Sequence, residues 1–368
     1  MESLRPYLLS LVLLIATAVL LMGFFSKNKF VVEGRTVLLT GGSQGMGRGL
    51  AKLFAQKGAN VVIVARDVKK LEAAVEYIQS SAKSPQTQRF HFISADLTSS
   101  SENERIVKEV TEWNNGNPPD IVWANAGYSK PQLFLDASIE SMRNQMETNF
   151  WAATYLAHTT LRTWLTPSAS SPKDGSAVPT KEPLPRHFIM TSSVAALCGI
   201  AGYAPYSPGK AALRSLADTL RSEVQLYNGS RHYLSSSSVS PPPVKIHIVL
   251  PGTITSPGYV EENKTKHPVT HVLEEGDLVQ TEDEVAAAAF KGLEAGNYMI
   301  TTQFLGHAMR VGMLGGSPRG GVFGIRDLLF GWVIGVAWLF ISPDMERKVW
   351  RWGRKNGVQS GAVKTYSK

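Results

Sequence analysis

The fold of this chain is decided by the stretch Thr36-Val-Leu-Leu-Thr-Gly-Gly-Ser-Gln-Gly-Met-Gly47. Its first five residues are apolar or β-branched, as is typical of a short buried strand. After the glycines, Leu50, Leu53 and Phe54 recur at the spacing of one helix face. Gly58 then follows as a helix terminator. A strand, a glycine-rich turn and a helix in this order predict a dinucleotide site, in which a pyrophosphate meets backbone N–H groups at the helix N-terminus.

The glycines of this turn have the spacing G-x-x-x-G-x-G, at Gly41, Gly45 and Gly47. This differs from the G-x-G-x-x-G of the standard dinucleotide fingerprint. We expect Ser43 and Gln44, which lie between the first two of these glycines, to contact the cofactor as well. A glycine-rich turn alone is weak evidence, so the assignment depends on a second motif downstream.

The end of the second predicted strand, Asn60–Ala65, indicates which cofactor is bound. NAD sites carry a carboxylate at this position to bind the ribose hydroxyls, whereas an arginine accommodates the 2′-phosphate of NADP. Here Arg66 follows the strand, with Lys69 and Lys70 close behind. NADPH is therefore favoured. Asp67 leaves NAD open as the alternative, because a shift of the strand end by one residue would place a carboxylate at this position.

The second motif is Tyr206-Ser-Pro-Gly-Lys210, which places a tyrosine and a lysine at i and i+4 on one helix face. A lysine cation within about 4–6 Å favours the phenolate and lowers the tyrosine pKa, giving a general acid near neutral pH. Ser193 precedes them and could hold a carbonyl oxygen; the neighbouring Ser192 is the alternative, although the spacing favours Ser193. Tyr203 is followed four residues later by a serine, so we expect no catalytic role for it. The arrangement predicts carbonyl reduction or its reverse.

Together these motifs resemble the short-chain dehydrogenase/reductase family, from about Gly34 to about Thr302. The resemblance implies an α/β fold, a Rossmann-type doubly wound parallel sheet. It also implies that Lys210 binds the nicotinamide ribose. Further cofactor and relay residues are implied after the later strands: Asp96 and Leu97 at the adenine, Asn125 beside the cofactor, Asn149 anchoring a relay water, and Ile254 and Ser256 at the nicotinamide carboxamide.

A narrower resemblance rests on the hydrophobic ends and on Tyr259-Val-Glu-Glu-Asn-Lys-Thr-Lys266. These segments resemble the members of the family that reduce the C3 ketone of 3-ketosphinganine, a long-chain amino ketone, in sphingolipid synthesis. A lipid ketone or aldehyde of another kind, such as a steroid, a retinoid or a 3-ketoacyl thioester, is the enzymatic alternative. A cofactor-binding scaffold without turnover is the other, and the intact Ser193, Tyr206 and Lys210 argue against it. The family commonly forms dimers or tetramers, so a homo-oligomer is allowed and the oligomeric state is left open.

Composition narrows the class of protein. One cysteine among 368 residues excludes an internal disulfide framework and is compatible with a reducing compartment. The net charge of +8 is not combined with a nucleic-acid-binding motif, so we expect no role in DNA or RNA binding. The eight histidines lack the spacing of metal ligands, and we expect no metal site.

Length suggests one globular domain with hydrophobic ends, since α/β domains reach ~250 residues. We expect a membrane anchor in residues 1–30, a catalytic domain in 31–303 and a membrane-associated segment with a basic tail in 304–368. Two insertions, Thr166–Arg186 and Asn228–Pro243, are rich in serine and proline and are interpreted as solvated loops.

The segment Tyr7–Phe25 is uncharged and long enough to span a bilayer. A cleaved signal peptide is the alternative, but its apolar core would be unusually long and no small-x-small cleavage site follows. Lys27, Lys29 and Arg35 come after the segment. The excess of positive charge on this side predicts a catalytic domain in the cytosol, and the narrower resemblance implies that the membrane is that of the endoplasmic reticulum.

The apolar run Leu328–Ile341 has only fourteen residues and suits an interfacial or core helix better than a full span. A basic tail with interleaved tryptophans follows it: Arg347, Lys348, Trp350, Arg351, Trp352, Arg354 and Lys355. We expect the run to dip into the cytosolic leaflet and the tail to bind anionic lipid. A helix packed on the domain or on a dimer partner is the alternative.

Overall fold

The computed structural model of the chain describes residues 28–166, 183–233, 241–321 and 324–360. Within them a seven-stranded sheet carries the fold, with every recorded strand pair parallel. Its strands are β1 (Thr36–Thr40), β2 (Asn60–Ala65), β3 (Phe90–Ser94), β4 (Ile121–Ala124), β5 (Arg186–Thr191), β6 (Val244–Leu250) and β7 (Met299–Thr301). The predicted Rossmann-type sheet is therefore confirmed, and the first two strands have the predicted boundaries.

The order of the strands is β3-β2-β1-β4-β5-β6-β7. The chain moves outward from β1 to β3, then returns to β4 on the other side of β1 and moves outward again. At such a reversal the crossover connections lie on opposite faces of the sheet, which leaves a crevice beyond the carboxyl ends of the strands. The topology therefore places a ligand site beyond β1 and β4.

Helices cover both faces of the sheet. They are α1 (Gly45–Gln56), α2 (Val68–Gln79), α3 (Ser100–Trp113), α4 (Ile139–Met146), α5 (Ala152–Leu165), α6 (Ser207–Tyr233), α7 (Pro257–Asn263), α8 (Pro268–Leu273), α9 (Glu282–Glu294), α10 (Phe304–Gly312) and α11 (Ile325–Asn356). A π-helical turn, Glu147–Trp151, joins α4 to α5.

The core has two halves because successive strand residues point to opposite faces. On one face Leu38 of β1 packs with residues of α3, α5 and α6, such as Leu156 and Leu213. On the other face Leu39 packs with residues of α1, α2 and α9, including Phe54. The near-continuous burial of the strands is that expected of a parallel sheet covered on both sides.

The insertion predicted as a loop at Asn228–Pro243 is partly helical. Helix α6 continues to Tyr233, so the first residues of the insertion extend it. The Asn228 side chain explains the extension, since its amide donates to the Val244 carbonyl at 2.9 Å and its Oδ1 accepts from the Val244 N–H. These bonds fix the end of α6 to β6. Most of the other insertion and the predicted anchor, Tyr7–Phe25, lie outside the described residues.

The C-terminal apolar run forms the middle of a longer helix than the sequence suggested. Helix α11 continues from Ile325 to Asn356 and is long and apolar enough to cross a membrane by length and composition. Its apolar side chains face outward, Trp332 being 77% and Phe340 73% exposed. A proline at 343 lies inside the helix without ending it.

Helix α11 contacts α10 near its start and the catalytic domain near its end. Near its start, buried Asp327 pairs with Arg310 of α10 at 2.8 Å. Near its end, the Trp352 ring packs 4.9 Å from the ring of His267, and the Val358 carbonyl just beyond accepts from His267 Nε2 at 2.9 Å. The helix therefore lies along the domain, with its apolar face turned away from it.

Candidate active site at the carboxyl ends of the strands

The glycine turn after β1 has a backbone that side chains would obstruct. Gly41 and Gly45 have φ angles of 66° and 59°, in the left-handed region that favours glycine. A Cβ on Gly47 would lie 2.0 Å from the Gly41 carbonyl oxygen, and one on Gly41 would lie 2.9 Å from the Ala126 Cα. The turn therefore brings α1 and the end of β4 close together and leaves a cradle of backbone atoms.

The N-terminus of α1 suits an anionic ligand. Its first turn contains no acidic residue, and the Gln44 side chain does not cap it. Glu282 Oε1 accepts from the Gly45 amide at 2.9 Å, and Arg48 pairs with this carboxylate at 3.0 Å. The Gly45 N–H is thus engaged by Glu282, and a pyrophosphate would meet the N–H groups that follow it at the positive end of the helix, which fits a dinucleotide.

The end of β2 presents positive charge to the same turn. Arg66 is exposed, and Lys70 Nζ donates to Gln44 Oε1 at 3.2 Å. Asp67 is the N-cap of α2, where its carboxylate accepts from the Lys70 backbone N–H at 3.1 Å. Because the Asp67 carboxylate caps α2, Asp67 does not take the position of an NAD-binding acid at the end of β2. The basic side chains fit a 2′-phosphate.

The residues after β3 and β4 complete this side of the site. Asp96 accepts from the Thr98 amide and hydroxyl, and these bonds, with a smaller effect of Arg66, hold the Asp96 pKa below its ordinary value. Leu97 is buried beside it. Asn125 accepts from the Thr191 hydroxyl at 3.0 Å and extends its amide toward the Gly41 carbonyl. The predicted adenine and cofactor residues thus lie along one edge of the sheet.

Two adjacent serines after β5 have different environments. Ser192 is buried and donates to the Lys210 carbonyl at 2.7 Å. Ser193 is only partly buried, and its side chain hydrogen-bonds the Tyr206 hydroxyl, which partly opposes the rise in the pKa of this hydroxyl caused by burial. The geometry therefore places Ser193, and not Ser192, beside the tyrosine.

Tyr206 and Lys210 share one side of the helix start, as predicted. The Lys210 Nζ lies 5.6 Å from the centre of the Tyr206 ring and donates to the Thr191 carbonyl at 3.1 Å. Burial lowers the pKa of Lys210 to about 8. The expected direction for the tyrosine was wrong: burial, and then the Glu262 carboxylate, raise its pKa above the ordinary value. The hydroxyl is therefore protonated at neutral pH, which is the form that a proton donor needs.

Asn149 lies in the π-helical turn and contacts the loop after β4. Its Oδ1 accepts from the Tyr128 N–H at 3.2 Å and its amide donates to the Tyr128 carbonyl at 2.8 Å. A Cβ on Gly127 would lie 2.7 Å from Asn149 Oδ1 and 3.1 Å from Lys210 Nζ. Asn149 and Lys210 therefore meet at this glycine.

The segment after β6 covers the site with two short helices, α7 and α8. Ile254 forms a parallel bridge with Gln280, which closes the segment at its base. Ser256 is the N-cap of α7 and accepts from the Tyr259 N–H at 3.2 Å. A Cβ on Gly45 would lie 3.4 Å from the Ser256 Cβ. This contact brings the predicted nicotinamide end and the glycine turn to one cleft.

A cluster that sequence reasoning missed lies between this covering segment and the catalytic loop. The Tyr203 hydroxyl lies 2.6 Å from both Glu262 Oε1 and Glu274 Oε1. Lys266, whose side chain is fully buried, contacts the same two carboxylates at 3.0 and 2.8 Å. The sequence feature that could have indicated this cluster is the run of charged residues at 261–266, but nothing in the sequence pairs this run with Tyr203.

The sheet, the glycine turn and the Ser193–Tyr206–Lys210 arrangement define a nicotinamide-dependent oxidoreductase of the Rossmann type. The family model described as short chain dehydrogenase matches residues 35–266, and the chain belongs to this family. A Burkholderia phymatum short-chain dehydrogenase/reductase, solved in complex with NAD, has a similar fold. Its TM-score is 0.58 at 16% identity, covering 74% of this chain and 90% of that one.

Two fungal relatives are similar over almost the whole chain. The 3-ketodihydrosphingosine reductase of Aspergillus fumigatus is 48% identical, covering 92% of this chain and 90% of that protein. The 3-ketodihydrosphingosine reductase of Neurospora crassa is 42% identical, covering 97% and 95%. The similarity thus extends beyond the shared family motifs into both ends of the chain.

Proposed function

We propose that this protein reduces the C3 ketone of 3-ketosphinganine to dihydrosphingosine with NADPH. The observation that carries the proposal is the similarity to two 3-ketodihydrosphingosine reductases over 92% and 97% of the chain. An oxidoreductase fold with a partly buried tyrosine beside a serine and a lysine supports the same reaction.

Three side chains perform the reaction in this proposal. Ser193 hydrogen-bonds the carbonyl oxygen and stabilises the negative charge that develops on it. Tyr206 donates its proton to that oxygen as the general acid. Lys210 holds the ribose next to the nicotinamide and keeps a positive charge near the tyrosine. Asn149 orients the Tyr128 loop beside them and anchors a water through which the proton is replaced.

The nicotinamide, when bound, supplies the hydride. The glycine turn and the N-terminus of α1 would hold the pyrophosphate, with Ser43 and Gln44 in the turn. Arg66 and Lys70 would hold the 2′-phosphate, since both lie beside the turn and Asp67 is engaged in capping α2. Charge-assisted bonds from these cations select NADPH over NADH.

A groove between α11 and the catalytic domain suits the long chain of the substrate. It has a volume of about 410 Å³ and is lined by Gly199, Ala201, Leu273, Met345, Glu346, Val349 and Trp350. Gly199 and Ala201 belong to the loop that joins Ser193 to Tyr206, so this loop connects the groove to the catalytic residues along the chain. We place the hydrocarbon chain here, where α11 would lead it from a bilayer to the ketone-binding end.

The membrane arrangement follows from α11. Because its start contacts α10 and its end contacts the catalytic domain, we propose that it lies in the cytosolic leaflet of the endoplasmic reticulum membrane and does not cross it. Its exposed apolar face would enter the leaflet beside Phe304 and Leu305 of α10, which are also exposed. The catalytic domain, residues 31–303, then faces the cytosol. Protease should remove a C-terminal tag in sealed microsomes; protection of the tag would contradict this arrangement.

The direct test is an assay of the detergent-solubilised protein with 3-ketosphinganine, following NADPH oxidation and formation of dihydrosphingosine by mass spectrometry. NADH in place of NADPH, a steroid ketone and retinal are the comparisons. We expect rapid turnover only with NADPH and the sphingoid ketone. Turnover of another carbonyl compound, with none of 3-ketosphinganine, would move the protein to a different lipid reaction.

A further inference from the structure

The missed cluster has an imbalance of charge. It contains two carboxylates, Glu262 and Glu274, and one buried cation, Lys266, which contacts both. The remaining member, Tyr203, is neutral, and burial followed by the charge of Glu262 raises its pKa further. Two negative charges and one positive charge leave the cluster with one unbalanced negative charge. A partly buried charge of this kind is costly unless something pairs with it.

The cluster also has fewer hydrogen-bond donors than its oxygens can accept. The Tyr203 hydroxyl has one proton, so it can serve only one of the two carboxylate oxygens at 2.6 Å at a time. Within the part of the chain that the structure describes, no hydrogen bond reaches Glu262 Oε2. The Glu262 side chain is 18% exposed, so this oxygen is accessible to a ligand. A group with several N–H donors and one positive charge would supply the missing hydrogen bonds and balance the negative charge of the cluster.

The unbalanced carboxylate lies next to the reacting position. The rings of Tyr203 and Tyr206 are 5.9 Å apart, and the Tyr203 hydroxyl bonds directly to Glu262. Glu262 is also near enough to the Tyr206 hydroxyl to raise its pKa. A ligand whose carbonyl oxygen accepts the proton of Tyr206 therefore has its neighbouring atoms beside this cluster.

The substrate of the proposed function carries such a group. In 3-ketosphinganine the C2 carbon, directly beside the C3 ketone, bears an ammonium with three N–H donors and one positive charge. We propose that Glu262 binds this ammonium, with Tyr203 and Lys266 holding the carboxylate in place, and that it selects amino ketones over plain long-chain ketones. This assignment rests on the proposed function and adds a specificity-determining residue to it.

Binding of the ammonium has a chemical consequence for Tyr206. The Glu262 charge disfavours the phenolate and so opposes loss of the tyrosine proton. An ammonium that neutralises this charge makes the proton easier to transfer at the moment when the ketone is in place. The amine would then contribute to turnover as well as to binding.

A purely structural role for the cluster makes a different prediction. Glu262 and Lys266 are i and i+4, and with Glu274 they connect α7 to α8. If they only held these helices together, loss of the Glu262 charge would affect every long-chain ketone equally. The two roles are therefore separated by comparing substrates with and without the amine.

The experiment measures kcat/KM with NADPH for 3-ketosphinganine and for 1-hydroxyoctadecan-3-one, which lacks only the amine. The variant is Glu262→Gln, which keeps the size of the side chain and its ability to accept from Tyr203. We expect kcat/KM for the amino ketone to fall roughly 10- to 100-fold, the usual value of a bond between charged groups, with the deamino ketone nearly unchanged. Glu261→Gln is the matched control, because Glu261 directly precedes Glu262 on α7, is 69% exposed and, among the residues that the structure describes, pairs only with Lys264.

Equal losses for both ketones in a correctly folded variant, or no loss for either, would overturn the assignment of Glu262 and leave the proposed function standing. Equal kcat/KM of the unaltered protein for the two ketones would overturn it as well. If the unaltered protein reduces neither ketone, the proposed function itself fails. Should Glu262→Gln lose both activities through misfolding, Glu262→Asp, which retains the charge, must restore the preference for the amino ketone; otherwise the assignment is wrong.

Discussion

The cofactor side and the substrate side of this cleft recognise their ligands by different means. On the cofactor side, from β1 to the loop after β4, backbone atoms and strand ends form the site, as at Gly41 and Gly47. On the substrate side, Tyr203, Glu262 and Glu274 come from separate segments and meet only through side-chain hydrogen bonds. Backbone recognition is fixed by the topology of the sheet, whereas recognition by side chains can change with a few substitutions. We therefore expect the shared fold to determine the chemistry and the covering segment to determine the substrate.

The largest effect is expected where the two sides meet, at Tyr206→Phe. This substitution removes the proton donor, and general acid catalysis contributes about 10²- to 10⁴-fold, so we expect kcat to fall by that factor. NADPH binding, measured by fluorescence titration, should change little because the cofactor side is intact. Unchanged turnover in this variant would refute the assigned mechanism.

The second largest effect is expected on NADPH affinity, when the cofactor side alone is changed. Arg66→Ala removes the exposed guanidinium at the end of β2. Hydrogen bonds to charged groups are worth about 1.5–3 kcal/mol, so the KM for NADPH should rise roughly 10- to 100-fold. The KM for NADH should stay nearly constant, and so should the ratio of amino to deamino ketone. Equal weakening of both cofactors would show that Arg66 does not bind the 2′-phosphate.

The backbone part of the site could be predicted from the sequence, because the glycine turn between a strand and a helix is followed downstream by the Tyr206 and Lys210 motif. The boundaries of β1 and β2 and the side shared by Tyr206 and Lys210 followed from local periodicity. The roles assigned to these residues stay predictions.

Contacts between distant segments could not be predicted in the same way. The raised pKa of Tyr206 depends on burial and on Glu262, which is far away in the sequence, so the expected lowering by Lys210 was wrong. The length of α11 was underestimated because charged residues continue a helix as readily as apolar ones, once its ends are held by contacts such as Asp327 with Arg310.

The pH dependence of kcat/KM provides a third test, which concerns Lys210 at the boundary between the two sides. Burial lowers the pKa of Lys210 to about 8, so the lysine loses its charge as the pH rises through that value. Tyr206, whose pKa is raised, remains protonated over the same range. We therefore expect kcat/KM for reduction to be constant below pH 8 and to fall toward tenfold per pH unit above it, since kcat/KM reports groups of the free enzyme.

Lys210→Arg identifies the group responsible for this decline. A guanidinium stays charged at every accessible pH, so the decline above pH 8 should disappear in the variant, even if its maximal rate is lower. A decline that persists unchanged in Lys210→Arg would assign it to another residue.

The smallest effect should come from Tyr203→Phe, the same substitution as the first but three residues earlier and on the substrate side. It removes a hydroxyl that joins Glu262 to Glu274, while both carboxylates and Lys266 remain. A single neutral hydrogen bond is worth about 0.5–1.5 kcal/mol, so the KM for 3-ketosphinganine should rise about 2- to 12-fold, with kcat and the KM for NADPH little changed. The rings of the two tyrosines lie 5.9 Å apart, yet the substitution of Tyr206 would lower kcat and that of Tyr203 would weaken substrate binding. A fall in kcat as large as that of Tyr206→Phe would place Tyr203 in the proton transfer itself, and the division of the cleft into a chemical part and a selective part would no longer hold.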